Sequence, residues 1–327
     1  MLSQVALMHP EMPSRKLFRS IVVVGLNIVI FYFLIGWCSE NIQVAILAKQ
    51  FSRIPPVPIA LTIVVNLIAI GFYALRLGTL IDRPPRISLP TAFLGFGLNT
   101  VLPFRLGEIA KLYYAKRYFL IPTSRLFAAT LVEKLFDLGA LAALSAFLVM
   151  STGINLIQKS FVIALIAVVV AGFAAMVGYR RFAHRIAEAL GTSVRRRALI
   201  TALHEQSRLH HLHRLVYYTI AIWALNILVI YAGFSGSLPD YSIGALDAVA
   251  LLLISALAIA VPTAPAGVGL FEAGIVAYLT QVRGVPNELA LAVAVVFHIG
   301  VSLPIFIGLA WIMLSPKRTS GDDLVKR

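Results

Sequence analysis

The chain has 327 residues, 60% of them hydrophobic and only 13% charged, with a mean hydropathy of +0.90. Water-soluble domains carry about 25% charged residues, so this composition excludes a soluble globule and predicts an all-α polytopic integral membrane protein. Cys38 is the only cysteine, which excludes an internal disulfide and a thiolate metal cluster. The net charge of +14 sits at the flanks of apolar runs, a pattern of membrane topology that makes nucleic acid an unsuitable partner.

A helix needs about 20 apolar residues to cross about 30 Å of hydrocarbon. The N-terminal tail, 1–19, carries Arg15, Lys16 and Arg19 and leads into an uncharged run at 20–39. That run is too long for the core of a secretory signal and lacks a small-residue cleavage site, so it is predicted to be a retained first span. A second span is predicted at 54–75. The uncharged run 87–104 is shorter and holds Pro90, Gly95, Gly97, Asn99 and Pro103. Spans at 138–158 and 160–179 follow.

Segment 180–214 is the most basic of the chain, with eight arginines against Glu188 and Glu205, and is predicted to be a cytoplasmic loop. Runs at 215–238, 248–271 and 289–316 complete a membrane domain over 20–316, followed by a basic tail, 317–327. About six to eight spans result, with both termini cytoplasmic.

Parity constrains the doubtful runs. With the N-terminus inside, the basic loop is cytoplasmic only if 87–104 dips into the membrane and returns, or makes two half-crossings. At the other end, 248–282 is either a broken hairpin followed by one span or two spans followed by a third. The hairpin option makes the halves alike, because "PFRLGE" (Pro103 to Glu108) and "PAGVGLFE" (Pro265 to Glu272) share Pro-x-x-x-Gly and then an acid after an apolar run. Such a pair predicts an inverted repeat that places a site near the midplane.

Non-helical backbone at membrane depth must be buried in protein or line a cavity. The Pro/Gly clusters therefore mark candidate cavities, and both lead into ionisable residues. Glu133 and Asp137 lie four apart on one helix face; on a helix beginning just after Pro122, Glu133 is about 15 Å along it, and the two acids need cations from Arg76, Arg105 or Lys111. The predicted headgroup groove comprises Arg76, Asn99, Pro103, Arg105, Gly107, Glu108, Lys111, Glu133 and Asp137. The second hairpin contributes Pro262, Pro265, Gly267, Gly269 and Glu272, with His298 of the last span as partner of Glu272. The alternative is that these charges only clamp helices together as buried ion pairs. Asn27, Asn66 and Asn226 read as hydrogen-bonding contacts between spans. No cofactor or metal site is indicated.

Arg76 in "YALRLGTLI", the element N-x-x-x-P-x-R-x-G-E at 99–108, "VEKLFD" and "PTAPAGVGLFE" occur in that order. On these motifs the chain, from about residue 19 to 316, resembles the flippase-like membrane domain family named after lysylphosphatidylglycerol synthase, the transmembrane part of multiple-peptide-resistance proteins. No synthase domain follows, so the resemblance implies a stand-alone member that handles lipid without aminoacylating it. His298 stands where relatives often carry arginine. Stand-alone members linked to hopanoid and glycolipid pathways leave the lipid open.

Three functions are then expected to compete. The first is a lipid translocase of the bacterial inner membrane, moving an anionic, glycosylated or isoprenoid lipid between leaflets. No Gly-Lys dipeptide and hence no P-loop occurs, so it hydrolyses no ATP itself. The second is a membrane-embedded glycosyltransferase-like enzyme, disfavoured by acid-poor outer loops and by the lack of HExxH and GxSxG motifs. The third is an accessory subunit docking a lipid-modifying enzyme through 180–214, a loop that otherwise rests on anionic lipid together with its histidines. Membrane lipid is the expected partner; oligomeric state is not legible.

Overall fold

A computed structural model describes residues 43–101, 106–152, 159–189, 194–207, 211–261 and 265–314, all in helices and short connections. The predicted first span, both tails, and Pro103, Arg105 and Pro262 of the predicted site lie outside these residues. The helices are α1 (Val44–Phe51), α2 (Pro56–Ile81), α3 (Pro85–Val101), α4 (Leu106–Phe119), α5 (Thr123–Thr152) and α6 (Lys159–Ala189). They continue as α7 (Val194–Ser207), α8 (Leu212–Ser237), α9 (Ala245–Ala260), α10 (Leu270–Arg283) and α11 (Asn287–Leu314). No strand occurs among the described residues.

Among the described residues, five helical segments of 19 to 30 residues are long and apolar enough to cross a membrane: α2, α5, residues Ser160–Gly178 of α6, α8 and α11. Their outward faces carry exposed Val64, Leu67 and Ile68 on α2, Val168 and Val170 on α6, and Ile299, Phe306 and Ile307 on α11. A solvent of water would oppose such stripes and a solvent of lipid accepts them. The protein is a multi-pass membrane protein.

Between these spans lie two helical hairpins whose arms are too short to cross alone. α3 has 17 residues and α4 has 14, or about 26 and 21 Å at the helical rise. They run antiparallel, with Gly95 against Lys111 and Gly107 against the backbone of Asn99. α9, with 16 residues, and α10, with 14, pair likewise, Gly274 meeting Ile254 and Asp247 meeting Arg283.

The first hairpin corrects the sequence reading. The run 87–104 does not dip and return within itself, because Pro90, Gly95 and Gly97 all lie inside the continuous helix α3. The return arm is the charged segment α4. Pro90 stands in the sixth position, close to the helix start where few hydrogen bonds are forfeited. The glycines serve close packing: a Cβ on Gly95 would press on Lys111, and one on Gly97 on Leu309 of α11, the use small residues have between membrane helices.

The second hairpin decides between the two readings of 248–282. Helix α9 stops at Ala260, and positive φ follows at Ala266 (56°), Gly267 (76°) and Gly269 (91°) before α10 begins. Left-handed backbone is tolerated at glycine because no Cβ meets the carbonyl, so the chain turns here, and arms of 16 and 14 residues, each too short for a full span, make the run a broken hairpin.

Each hairpin is preceded and followed by a span, giving the order α2, α3–α4, α5 in one unit and α8, α9–α10, α11 in the other. The leading spans α2 and α8 make the most extensive helix pair among the described residues. They are antiparallel, since Pro58 meets Gly236, Thr62 bonds Val229 and Arg76 bonds Thr219. The two units therefore run in opposite senses, as an inverted repeat requires. Two buried apolar clusters form, one mainly in each unit, with Val65 and Leu148 of the first unit reaching into the second cluster and Leu215 of the second into the first. Ala74, Leu77, Leu126, Ala129 and Val132 belong to the first, and Phe234, Phe271, Ile275 and Phe297 to the second.

Candidate functional site

The first cluster of ionisable side chains forms where hairpin α3–α4 meets α2 and α5. Arg76 lies five residues before the end of α2 and Glu133 ten after the start of α5, which puts them about 8 and 15 Å from the same side of the bundle. Such residues are tolerated only when paired. Arg76 is 1% exposed. Its Nη1 and Nη2 donate to the two carboxylate oxygens of Asp137 at 2.8 and 3.1 Å. Nη1 also reaches Thr219 Oγ1 of α8 at 3.1 Å. Its Nε stands 3.9 Å from Glu133, and the guanidinium carbon lies 5.3 Å from the centre of the Tyr73 ring.

The hairpin contributes the rest. Lys111 Nζ pairs with Glu108 of its own helix at 2.7 Å and approaches Glu133 at 4.0 Å. Lys134 reaches Glu108 at 3.8 Å. Three cations and three carboxylates thus interlock, and these six balance in charge. The cavity left among them is about 30 Å³, room for water and not for a lipid headgroup.

Asn99 and Gly107 sit behind this cluster. A Cβ on Gly107 would fall on the backbone nitrogen of Asn99 and the carbonyl oxygen of Gly95, so glycine sets how closely α4 approaches α3. Asn99 Oδ1 is buried without a hydrogen-bond donor among the described residues.

The second cluster is smaller. Gly269 and Glu272 open α10, where Glu272 Oε2 accepts the Gly269 N–H at 2.7 Å, an acid in the first turn closing the helix start. Its Oε1 lies 2.6 Å from His298 Nδ1, and the ring of His298 leans on Phe271 with centroids 4.3 Å apart. Pro265 and Gly267 form the preceding turn, with Gly267 close over Ile259. The structure thus joins Glu272 to His298 and joins Arg76, Glu108, Lys111, Glu133 and Asp137 to one another. Helix α3 packs on both the turn at 265–267 and α11. No cluster of three or more His, Cys, Asp or Glu suited to a metal occurs among the described residues.

One charged centre escaped the sequence reading. Asp247, 1% exposed, accepts Arg283 Nε and Nη2 at 2.6 Å each, the Tyr278 hydroxyl at 2.6 Å and the Gly244 N–H at 2.7 Å. It locks the open end of the second hairpin. The available signal was Gly-x-x-acid at 244–247, the same spacing as at 269–272. Asp247→Ala is expected to lower stability by about 2 to 4 kcal/mol, because a fully bonded buried carboxylate leaves Arg283 and Tyr278 unanswered. Thermal unfolding in detergent checks this, and an unchanged midpoint contradicts it.

The family model described as "Lysylphosphatidylglycerol synthase TM region" matches residues 21–308. No curated protein matches the chain, and no solved structure does.

Proposed function

The chain belongs to the family of the lysylphosphatidylglycerol synthase transmembrane region, and from that premise we propose that it is a lipid translocase with no enzymatic step of its own. It moves an anionic, glycosylated or isoprenoid lipid between the leaflets of a bacterial inner membrane, its termini on the cytoplasmic side. The observation that carries this reading is the interlocked group of six charges held between a half-length hairpin and full-length spans. Charges at that depth cost at least about 2.5 to 3.5 kcal/mol each on insertion scales, and a fold needing only registry has cheaper means.

The hairpin supplies the moving part. α4 packs extensively on α3 and far less on α5, so the hairpin separates from α5 more readily than its own arms separate. When Lys111 and Glu108 leave Glu133 and Lys134, both signs are exposed to a passing headgroup. The tails remain in hydrocarbon throughout.

A second reading is favoured by charge balance: six residues that neutralise one another in a 30 Å³ cavity also describe a clamp. The protein is then an accessory subunit. Proteoliposomes containing fluorescent phosphatidylglycerol separate the two when outer-leaflet probe is quenched chemically. Wild type is expected to speed leaflet exchange at least about tenfold over protein-free vesicles, corresponding to about 1.4 kcal/mol of barrier, and Lys111→Gln and Arg105→Gln to remove that gain while still folding. Exchange at the protein-free rate, or full exchange by both variants, refutes the translocase.

A further inference from the structure

A cleft roomier than the one at the charged cluster opens on the other side of α2, where α2 ends, α3 begins and α8 begins, with a volume of about 270 Å³. Leu75, Gly78, Thr79 and Asp82 line it at the i, i+3, i+4, i+7 spacing of one helix face, whereas Tyr73, Arg76 and Leu77 face the charged cluster.

Its polar equipment is cationic and incompletely partnered. Arg83, His211 and Arg214 line it together with Tyr218 and Ser88. The one carboxylate in the wall, Asp82, is met by Arg125 at 3.8 Å. No carboxylate among the described residues pairs with Arg83 or Arg214. Ser88 is 0% exposed, and its Oγ has no hydrogen-bond partner among the described residues. A buried hydroxyl is normally satisfied, so an orphan in the wall of an arginine-bearing cleft is an unused donor.

Close packing sets the position of that hydroxyl. A Cβ on Gly78 would come within 2.9 Å of Ser88 Oγ and 2.7 Å of the Arg83 carbonyl oxygen. Glycine there, with the left-handed Asp82 (φ 53°), lets the α2–α3 connection turn tightly beside the hydroxyl.

We propose that this cleft binds the phosphate of a membrane lipid. Guanidinium groups match phosphate oxygens with paired, charge-assisted hydrogen bonds, and Ser88 and Tyr218 add hydroxyl donors. A lipid, as distinct from a free anion, is indicated by what adjoins the cleft. The face of α2 that carries Leu75 continues to the exposed Val64 and Ile68, an apolar wall for the acyl chains, and the exposed Tyr217 lies against Tyr218 with ring centroids 5.7 Å apart, tyrosine at headgroup level. Basic residues of 180–214 precede α8 and draw anionic lipid to the same side. Along α3, Ser88 shares a face with Ala92 and Gly95, which border the charged cluster, so the cleft is where a headgroup would wait before that cluster opens. Binding itself does not depend on translocation.

The test is native mass spectrometry of protein released from nanodiscs of phosphatidylcholine with a minor fraction of phosphatidylglycerol. Wild type is expected to retain one phosphatidylglycerol. The double variant Arg83→Gln/Arg214→Gln is expected to retain about tenfold less, and Arg117→Gln, an exposed arginine elsewhere, as much as wild type. Lys111→Gln should also retain it, which keeps this result separate from the transport assay. Equal retention by the double variant, or loss in Lys111→Gln alone, overturns the proposal. Should the double variant not fold, Ser88→Ala carries the test: it deletes an orphan hydroxyl without opening a packing defect, so retention must fall, and unchanged retention refutes the site. Inorganic phosphate added to protein in pure phosphatidylcholine nanodiscs, followed by phosphorus NMR, should show no Arg83/Arg214-dependent binding; binding there equal to that of the lipid reassigns the cleft to a free anion.

Discussion

Arg76→Met is expected to be the most damaging single substitution in the protein, lowering stability by about 3 to 5 kcal/mol, because it leaves the half-buried Asp137 without its cation and takes from Glu133 one of the two cations facing it. The size follows from how many roles one guanidinium fills: both oxygens of Asp137, Thr219 on α8 and the approach to Glu133. It ties α2, α5 and α8 at one point. Lysine in its place keeps the charge but not the two-pronged geometry and should recover only part of the loss. The double variant Arg76→Met/Asp137→Leu is the informative comparison. An apolar pair of similar volume costs little relative to an ion pair, so most of the stability should return, Glu133 remaining served by Lys111. Lipid exchange in vesicles should stay lost if the charges act on a headgroup. Full recovery of exchange together with stability would instead identify the pair as a clamp. Thermal unfolding and leaflet exchange on the same preparations decide it.

The second large effect is expected at Gly107. Alanine there puts a methyl group onto backbone atoms of Asn99 and Gly95, which cannot swing aside as a side chain can. Overpacking of ordinary cores costs about 1 to 3 kcal/mol, and backbone contact places this site at or above the top of that range. Because α4 can meet the methyl only by backing away from α3, Lys111 should move from Glu133, and protease sensitivity between the arms should rise. Gly139→Ala is the matched control: its new Cβ would meet only Val169, at 3.8 Å, so its unfolding midpoint should match wild type. Equal midpoints for both variants would show that the hairpin is not held by this contact.

How far the site was legible depends on the range of each signal. Glu133 and Asp137 announce a shared face by their spacing, which is a property of one helix. Glu272 and His298 meet as the sequence suggested, since an acid following a broken helix and a lone histidine in the next span have few other polar partners at that depth. The roles of Gly95 and Gly97 were misread, because glycine weakens a helix in isolation and yet permits close packing in a bundle; only the neighbours Lys111 and Leu309 distinguish the two. Asp247 gave no signal of its role in joining two arms, because its partner Arg283 lies 36 residues away on the opposite arm of a hairpin.

The sequence by itself determined the solvent and the punctuation. Composition and run length require a multi-pass membrane protein, and the Pro/Gly cluster at 261–269 marks where a helix stops, because apolar transfer and backbone hydrogen bonding act residue by residue. Tertiary structure alone decided which charges meet and where open space remains. Arg76 was one of three cations available to Asp137, and its choice rests on the rotation of α2 against α5 and α8. The cleft beside Ser88 exists only because three helix ends converge there, and the charged cluster is nearly closed because α4 packs into it. Packing is a property of surfaces brought together from distant parts of the chain, and no local pattern encodes it.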